Sequence, residues 1–185
     1  MLPMKPLLSL AHFIDEANRH LSKIASWLVL LCCVISAGNA LSRYGLNLSS
    51  NAWLEIQWYM FAAMFMLGTS YTLCKNEHVR VDVLYSHIST RAQIWIDLIG
   101  GLLFLLPAAI ILAWLSWPVF YNAWAQGEMS SNAGGLIRWP VKIFLPLGFG
   151  LLVLQGISEV IKRIAMLTGH LVDGEANLHY ERPLQ

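Results

Sequence analysis

Charge is what this sequence has least of. Of its 185 residues, 12% are Asp, Glu, Lys or Arg, while 57% are hydrophobic. Soluble domains carry about 25% charged residues, so the outside of this fold is not built to face water. The formal net charge is +1, which provides no basic face for nucleic acid. Cysteine is scarce too. Cys32, Cys33 and Cys74 form neither a C-x-x-C pair nor a zinc spacing, so quinone-linked disulfide chemistry lacks its motif. ATP hydrolysis lacks a P-loop. All six histidines (His12, His20, His78, His87, His170 and His179) lie outside the long apolar runs, so a b-type haem lacks the facing histidines it needs inside a bundle. Proton relays and coupling-ion sites usually place carboxylates or broken helices at mid-membrane. Here Glu55, Asp97 and Glu159 all stand near the ends of apolar runs. No catalytic residue, cofactor or metal is expected, and the chain reads as a non-enzyme.

What is present is grease in four blocks. Residues 24–42 and 56–74 are charge-free runs of 19, residues 98–127 a run of 30, and residues 143–158 a run of 16. A spanning helix needs about 20 apolar residues. The fourth run is short, but Lys142 can snorkel, and Val160 and Ile161 extend it. The expected fold is all-α: one membrane domain, 1–168, with spans at about 24–42, 54–74, 93–118 and 142–162, then a polar tail, 169–185, expected to be poorly ordered. Gly38-Asn39-Ala40 resembles a signal cleavage site. Because 23 residues precede the run, long for a basic leader, the segment is expected to be retained.

Basic residues set the orientation. Nine of them (Lys5, Arg19, Lys23, Lys75, Arg80, Arg91, Lys162, Arg163 and Arg182) fall on one side of a four-span chain. Three (Arg43, Arg138 and Lys142) fall on the other. Both termini are therefore expected in the cytoplasm. Trp27 and Trp95 near the inner ends, and Trp53, Trp58, Trp117, Trp124 and Trp139 near the outer ends, form an aromatic belt that agrees.

The flanks carry pattern as well. Leu7, Leu10, Ile14, Ala17, Leu21 and Ile24 recur at helical spacing opposite Asp15, Glu16, Arg19 and Lys23. This predicts an amphipathic helix before the first span, either lying on the inner leaflet or packed on a partner. Between spans two and three, "HVRVDV" alternates like a strand, yet Val81, Leu84, Tyr85 and Ile88 would share a helical face. Both readings stay open, and either makes a short structured elbow. Thr90-Arg91-Ala92-Gln93 has the form of a capping box and predicts a helix start near Arg91. Pro107 predicts a bend in span three. Gly148, Gly150 and Gly156 predict close helix contacts in span four.

Two stretches point to a family. In "WLEIQWYMFAAMFMLGTSYTLCKNEHVRVDVL", residues 53–84, an acid opens the helix, aromatics and a mid-helix glycine follow, and a histidine and an aspartate come just after it. These are Glu55, Trp58, Tyr59, Gly68, His78 and Asp82. In "WAQGEMSSNAGGLIRWPVKIFLPLGFGLLVLQGISE", residues 124–159, Gly-Gly-Leu and Trp-Pro precede the last span. The chain thus resembles the small membrane subunit, DctQ-like, of tripartite ATP-independent periplasmic (TRAP) transporters. It departs from the family at Ile88-Ser89, where a Leu-Pro is usual, and this bears on the elbow's geometry.

The resemblance implies a bacterial inner-membrane protein that braces a large membrane subunit. That partner uses a sodium gradient, and a periplasmic substrate-binding protein delivers an organic acid to it. The residues expected at the subunit interface are Glu55, Trp58, Tyr59, Gly68, His78, Arg80, Asp82 and Arg91. The outer loop, 119–141, is expected to meet the binding protein through Glu128, Asn132, Arg138 and Trp139. Other partners are the lipid bilayer and no nucleic acid. Two rivals differ in class. A stand-alone homo-oligomeric exporter would need a membrane-embedded carboxylate. A redox-enzyme anchor would need histidine ligands.

Overall fold

In the computed structural model, residues 4–48, 50–77 and 88–171 are described, and they are helical apart from turns and one isolated antiparallel bridge, Met129–Ile137. Four long helices make the fold: α1, Met4–Gly45; α2, Asn51–Cys74; α3, Thr90–Ala125; and α4, Trp139–Leu167. Among the described residues, α1, α3 and α4 are long and apolar enough to cross a membrane. The second helix has the length, 24 residues or about 36 Å. Its apolar character is diluted by Gln57, Tyr59, Thr69, Ser70, Tyr71 and Thr72. Composition therefore supports three spans where charge-free runs had suggested four.

The first helix is a single rod. The expected amphipathic helix at 7–24 is not a separate element, because no proline or glycine interrupts the chain from Leu7 to Ala37 and nothing stops the helix before the apolar run begins. Its buried face is rotated from the apolar stripe and shares Ile14 with it. Met4, Ala11, Asn18 and Ala25 are buried at seven-residue steps, with Ile14 beside them, whereas Leu10, Phe13, Ile24 and Trp27 point outward. A seven-residue step is the repeat of helices that pack side by side along their length. Polar contacts to α4 draw Asp15 and Asn18 into the seam.

The third helix starts at Thr90, capped by Ser89, whose hydroxyl accepts from the Ala92 N–H at 3.4 Å. The cap is one residue earlier than the box at Thr90 predicts. A five-residue π-turn, Gly101–Leu105, precedes Pro107. Proline has no N–H, and its ring crowds the carbonyl four residues back. A π-turn directly before the proline is one way a helix accommodates that crowding. The helix then runs through Pro118 to Ala125, seven residues past the expected end, and shortens the outer loop to 126–138.

The last helix, α4, is the hub. It packs against α1, α2 and α3, and α1 also packs on α2, while α3 packs principally on α4. The seams are made of small residues: Ala11, Ala25, Ala63, Ala109, Ala123 and Ala165 are all buried. In lipid, where the surroundings are as apolar as the helices, close approach supplies the packing energy. Gly148 carries this furthest. A Cβ there would lie 2.6 Å from Met66 Cε and 2.7 Å from Met66 Cβ.

Candidate functional site

Two polar clusters cap this apolar core, one at each end. The outer one is built on α2. Ser50 caps that helix, and Glu55 lies one turn in, buried on the face turned toward the 126–138 loop. The loop folds back as a small hairpin. The Ser130 N–H donates to the Leu136 carbonyl at 3.0 Å, and the Arg138 N–H donates to the Glu128 carbonyl at 2.8 Å. Its interior donors converge on Glu55. The Asn132 side-chain amide donates at 2.8 Å, the Leu136 N–H at 2.6 Å, and the Ser130 hydroxyl completes the set. The Asn51 amide donates to the Ala133 carbonyl and the Tyr59 hydroxyl to the Ile137 carbonyl, both at 2.9 Å. Lys142 pairs with Glu128 at the hairpin's base.

The glycine pair in this hairpin serves two purposes. Gly134 has φ +68°, in the left-handed region that glycine enters without strain. Gly135 sits so close that a Cβ would collide with Ser130 and lie 2.9 Å from a Glu55 carboxylate oxygen. The sequence "NAGG" is therefore shaped to Glu55, 80 residues earlier in the chain.

The inner cluster joins three helices at α4. Gln155 is fully buried. It accepts from the Asn18 amide at 2.6 Å, and it donates to Asp15 at 2.8 Å and to Glu159 at 2.9 Å. The Ser70 hydroxyl donates to Asn18 at 2.9 Å, tying in α2. Two turns further along α4, Lys162 bridges Asp15 at 3.0 Å and Glu159 at 2.5 Å. Arg163 spans Glu159 at 2.5 Å and Asp97 of α3 at 3.2 Å. Ser158 adds a bond to Asp15 at 2.8 Å. Asp15, Cys74 and Glu159 bring ligand-type atoms within 4.8 Å of one another, but the Lys162 ammonium already bridges the two carboxylates. The arrangement pairs buried charges with one another, as low-dielectric surroundings require. Its evident capacity is to hold α1, α3 and α4 in one register.

The sequence-predicted residues divide by place. Glu55 and Asn132, expected at different interfaces, are hydrogen-bonded to each other within the chain. Tyr59 joins that clamp, as do Glu128 and Arg138 through the hairpin. Trp139 opens α4 half-buried. Trp58 is 63% exposed on the outer flank of α2, Gly68 faces open space, and Arg91 is exposed at the start of α3. His78, Arg80 and Asp82 lie outside the described residues.

Sequence reasoning missed the inner cluster. Its signal was the spacing of Gln155, Ser158, Glu159, Lys162 and Arg163, which places one polar face on an otherwise apolar helix. A glutamine inside a charge-free run was the single residue that most needed a partner.

A family model described as DctQ: Tripartite ATP-independent periplasmic transporters, DctQ component, matches residues 31–166. No curated protein and no solved structure matches the chain.

Proposed function

The chain belongs to the DctQ family of TRAP transporter components, and on that basis we propose that it is the small permease subunit of a sodium-driven, binding-protein-dependent uptake system for an organic acid. It crosses a bacterial inner membrane four times, with both termini in the cytoplasm, and packs beside the large membrane subunit as a brace. In this reading α2 is the fourth span, with its inner face covered by α1 and α4.

The observation that carries the bracing role is the pair of end clamps. A brace must keep its shape while its partner moves. Here the outer hairpin is bonded to Glu55 and Tyr59, and the inner ends of α1, α3 and α4 share one ion-pair network. Between the clamps lie apolar seams such as Met66 on Gly148 and Leu106 on Gly156. Among the described residues, the charges gather at the two ends, which suits a scaffold better than a conduit.

The test is reconstitution. Proteoliposomes holding this chain alone, the large subunit alone, or both are supplied with binding protein, a panel of organic acids and an inward sodium gradient. Uptake is expected only when both subunits and the binding protein are present. Sodium-dependent uptake by this chain alone would overturn the proposal.

A further inference from the structure

The outer hairpin has two faces, and the chain itself uses one of them. Ser130 and Asn132 turn toward α2 and donate to Glu55. Side chains alternate across a strand. Met129 and Ile137, opposite each other in the antiparallel bridge, therefore stand together on the other face. They are 59% and 37% exposed. The tip, residues 131–134, is exposed beside them. An apolar pair next to small polar residues has the layout of a protein contact, with an apolar centre and a polar rim.

Two observations say what meets this face. The base of the hairpin is charged: Glu128 pairs with Lys142, and the Arg138 N–H donates to the Glu128 carbonyl. Charges gather where hydrocarbon ends, so the tip stands beyond the lipid tails, on the side from which a soluble partner arrives. The hairpin is also fixed in advance. A segment that merely joined α3 to α4 would need no anchor, yet this one is held by a buried carboxylate and by the Tyr59 hydroxyl on the Ile137 carbonyl. A loop held in its binding shape loses less freedom when a partner docks. The polar side chains that the sequence offered for this contact are spent inside the chain: the Asn132 amide goes to Glu55 and Glu128 goes to Lys142.

We infer that Glu55 is a positioning residue which, through the hairpin, presents Met129 and Ile137 to the periplasmic substrate-binding protein. This rests on the subunit role proposed above and deepens it by naming the docking face and the residue that sets it. Glu55 acts from behind the hairpin and touches neither the binding protein nor the substrate.

The test measures sodium-driven uptake by the reconstituted full transporter over a range of binding-protein concentrations. Glu55→Gln keeps the volume but sets an amide N–H against the donors of Ser130, Asn132 and Leu136. Met129→Ser removes the outward contact and leaves every bond of the clamp in place. Both are expected to raise the half-saturating concentration of binding protein at least threefold, with the maximal rate within twofold of wild type. Leu41→Ser, at an exposed apolar residue of α1, is expected to change neither. Thermal unfolding of each purified variant checks the fold. If Glu55→Gln does not fold, Tyr59→Phe, which frees only the Ile137 carbonyl, takes its place with a twofold rise expected. A photo-crosslinking benzoylphenylalanine in place of Met129 is expected to capture the binding protein.

An unchanged half-saturating concentration in the folded variants would overturn the inference. So would a fall in maximal rate alone, which would make the clamp internal bracing and nothing more. Crosslinks from position 129 to the large subunit or to phospholipid, with none to the binding protein, would overturn it too. Failure of the wild-type chain to support uptake with both partners present would instead overturn the subunit role itself.

Discussion

Replacing Gln155 by Leu tests whether the inner cluster holds the bundle together. The two side chains are similar in volume, so packing is nearly kept and the change is chiefly in hydrogen bonding. Three bonds disappear: Asn18 loses its acceptor at 2.6 Å, and Asp15 and Glu159 each lose a donor at 2.8 and 2.9 Å. In water, bonds to charged groups are worth about 1.5–3 kcal/mol each. In membranes, interhelical hydrogen bonds average about 0.6 kcal/mol and reach about 1.7, because the separated helices find other partners. The membrane scale is the apt one here, and three bonds then come to about 2–5 kcal/mol. For a chain of this size, 1 kcal/mol moves the melting temperature by about 2–4 °C, so Gln155→Leu is expected to melt at least about 4 °C below wild type in detergent or nanodiscs. Asn18→Ala should cost less, and the double variant Asn18→Ala with Gln155→Leu should lose less than the sum of the two, because the Asn18–Gln155 bond is counted in both while the Ser70 bond is lost only with Asn18. A Gln155→Leu protein as stable as wild type would refute the reasoning. It would mean that the apolar replacement compensates fully and that the cluster does not hold the helices.

Gly148→Ala should cost about 1–3 kcal/mol through overpacking against Met66, with a matching drop in melting temperature; because the added methyl would lie 2.7 Å from Met66 Cβ, which alanine keeps, adding Met66→Ala should not restore it, and a Gly148→Ala protein as stable as wild type would rule out the contact. Glu55→Ala should free the outer hairpin from α2, so limited proteolysis at 129–135 is expected to speed up severalfold while α2 and α4 stay protected; an unchanged cleavage rate would show that the hairpin holds without its carboxylate. Reporter fusions at Gln185 and within 126–135 should give opposite sidedness, and the same sidedness for both would rule out an odd number of crossings between them.

Much of this protein was legible one residue at a time. Low charge, the four apolar runs and the "WLEIQWYM" and "GGLIRWP" stretches determine an all-helical membrane chain of the DctQ family, because hydropathy and local motifs are properties of adjacent residues. The run of helix-compatible residues from Leu7 to Ala37 likewise determines that the chain could continue as one rod, although the amphipathic stripe masked this. Only the tertiary structure decided which side of that rod is inside. The apolar stripe lies along the edge of the buried face, with Ile14 in and Leu10 and Ile24 out, and the Ala11–Asn18–Ala25 line faces in, because α4 offers Gln155, Ser158 and Lys162 at matching height. It also decided that Glu55 closes on a hairpin 80 residues away, and that α3 leans on α4 rather than on α2. A side chain's own chemistry states that a buried glutamine or glutamate needs partners. Which partners it finds depends on how helices far apart in sequence are brought to the same depth, and that is a property of packing.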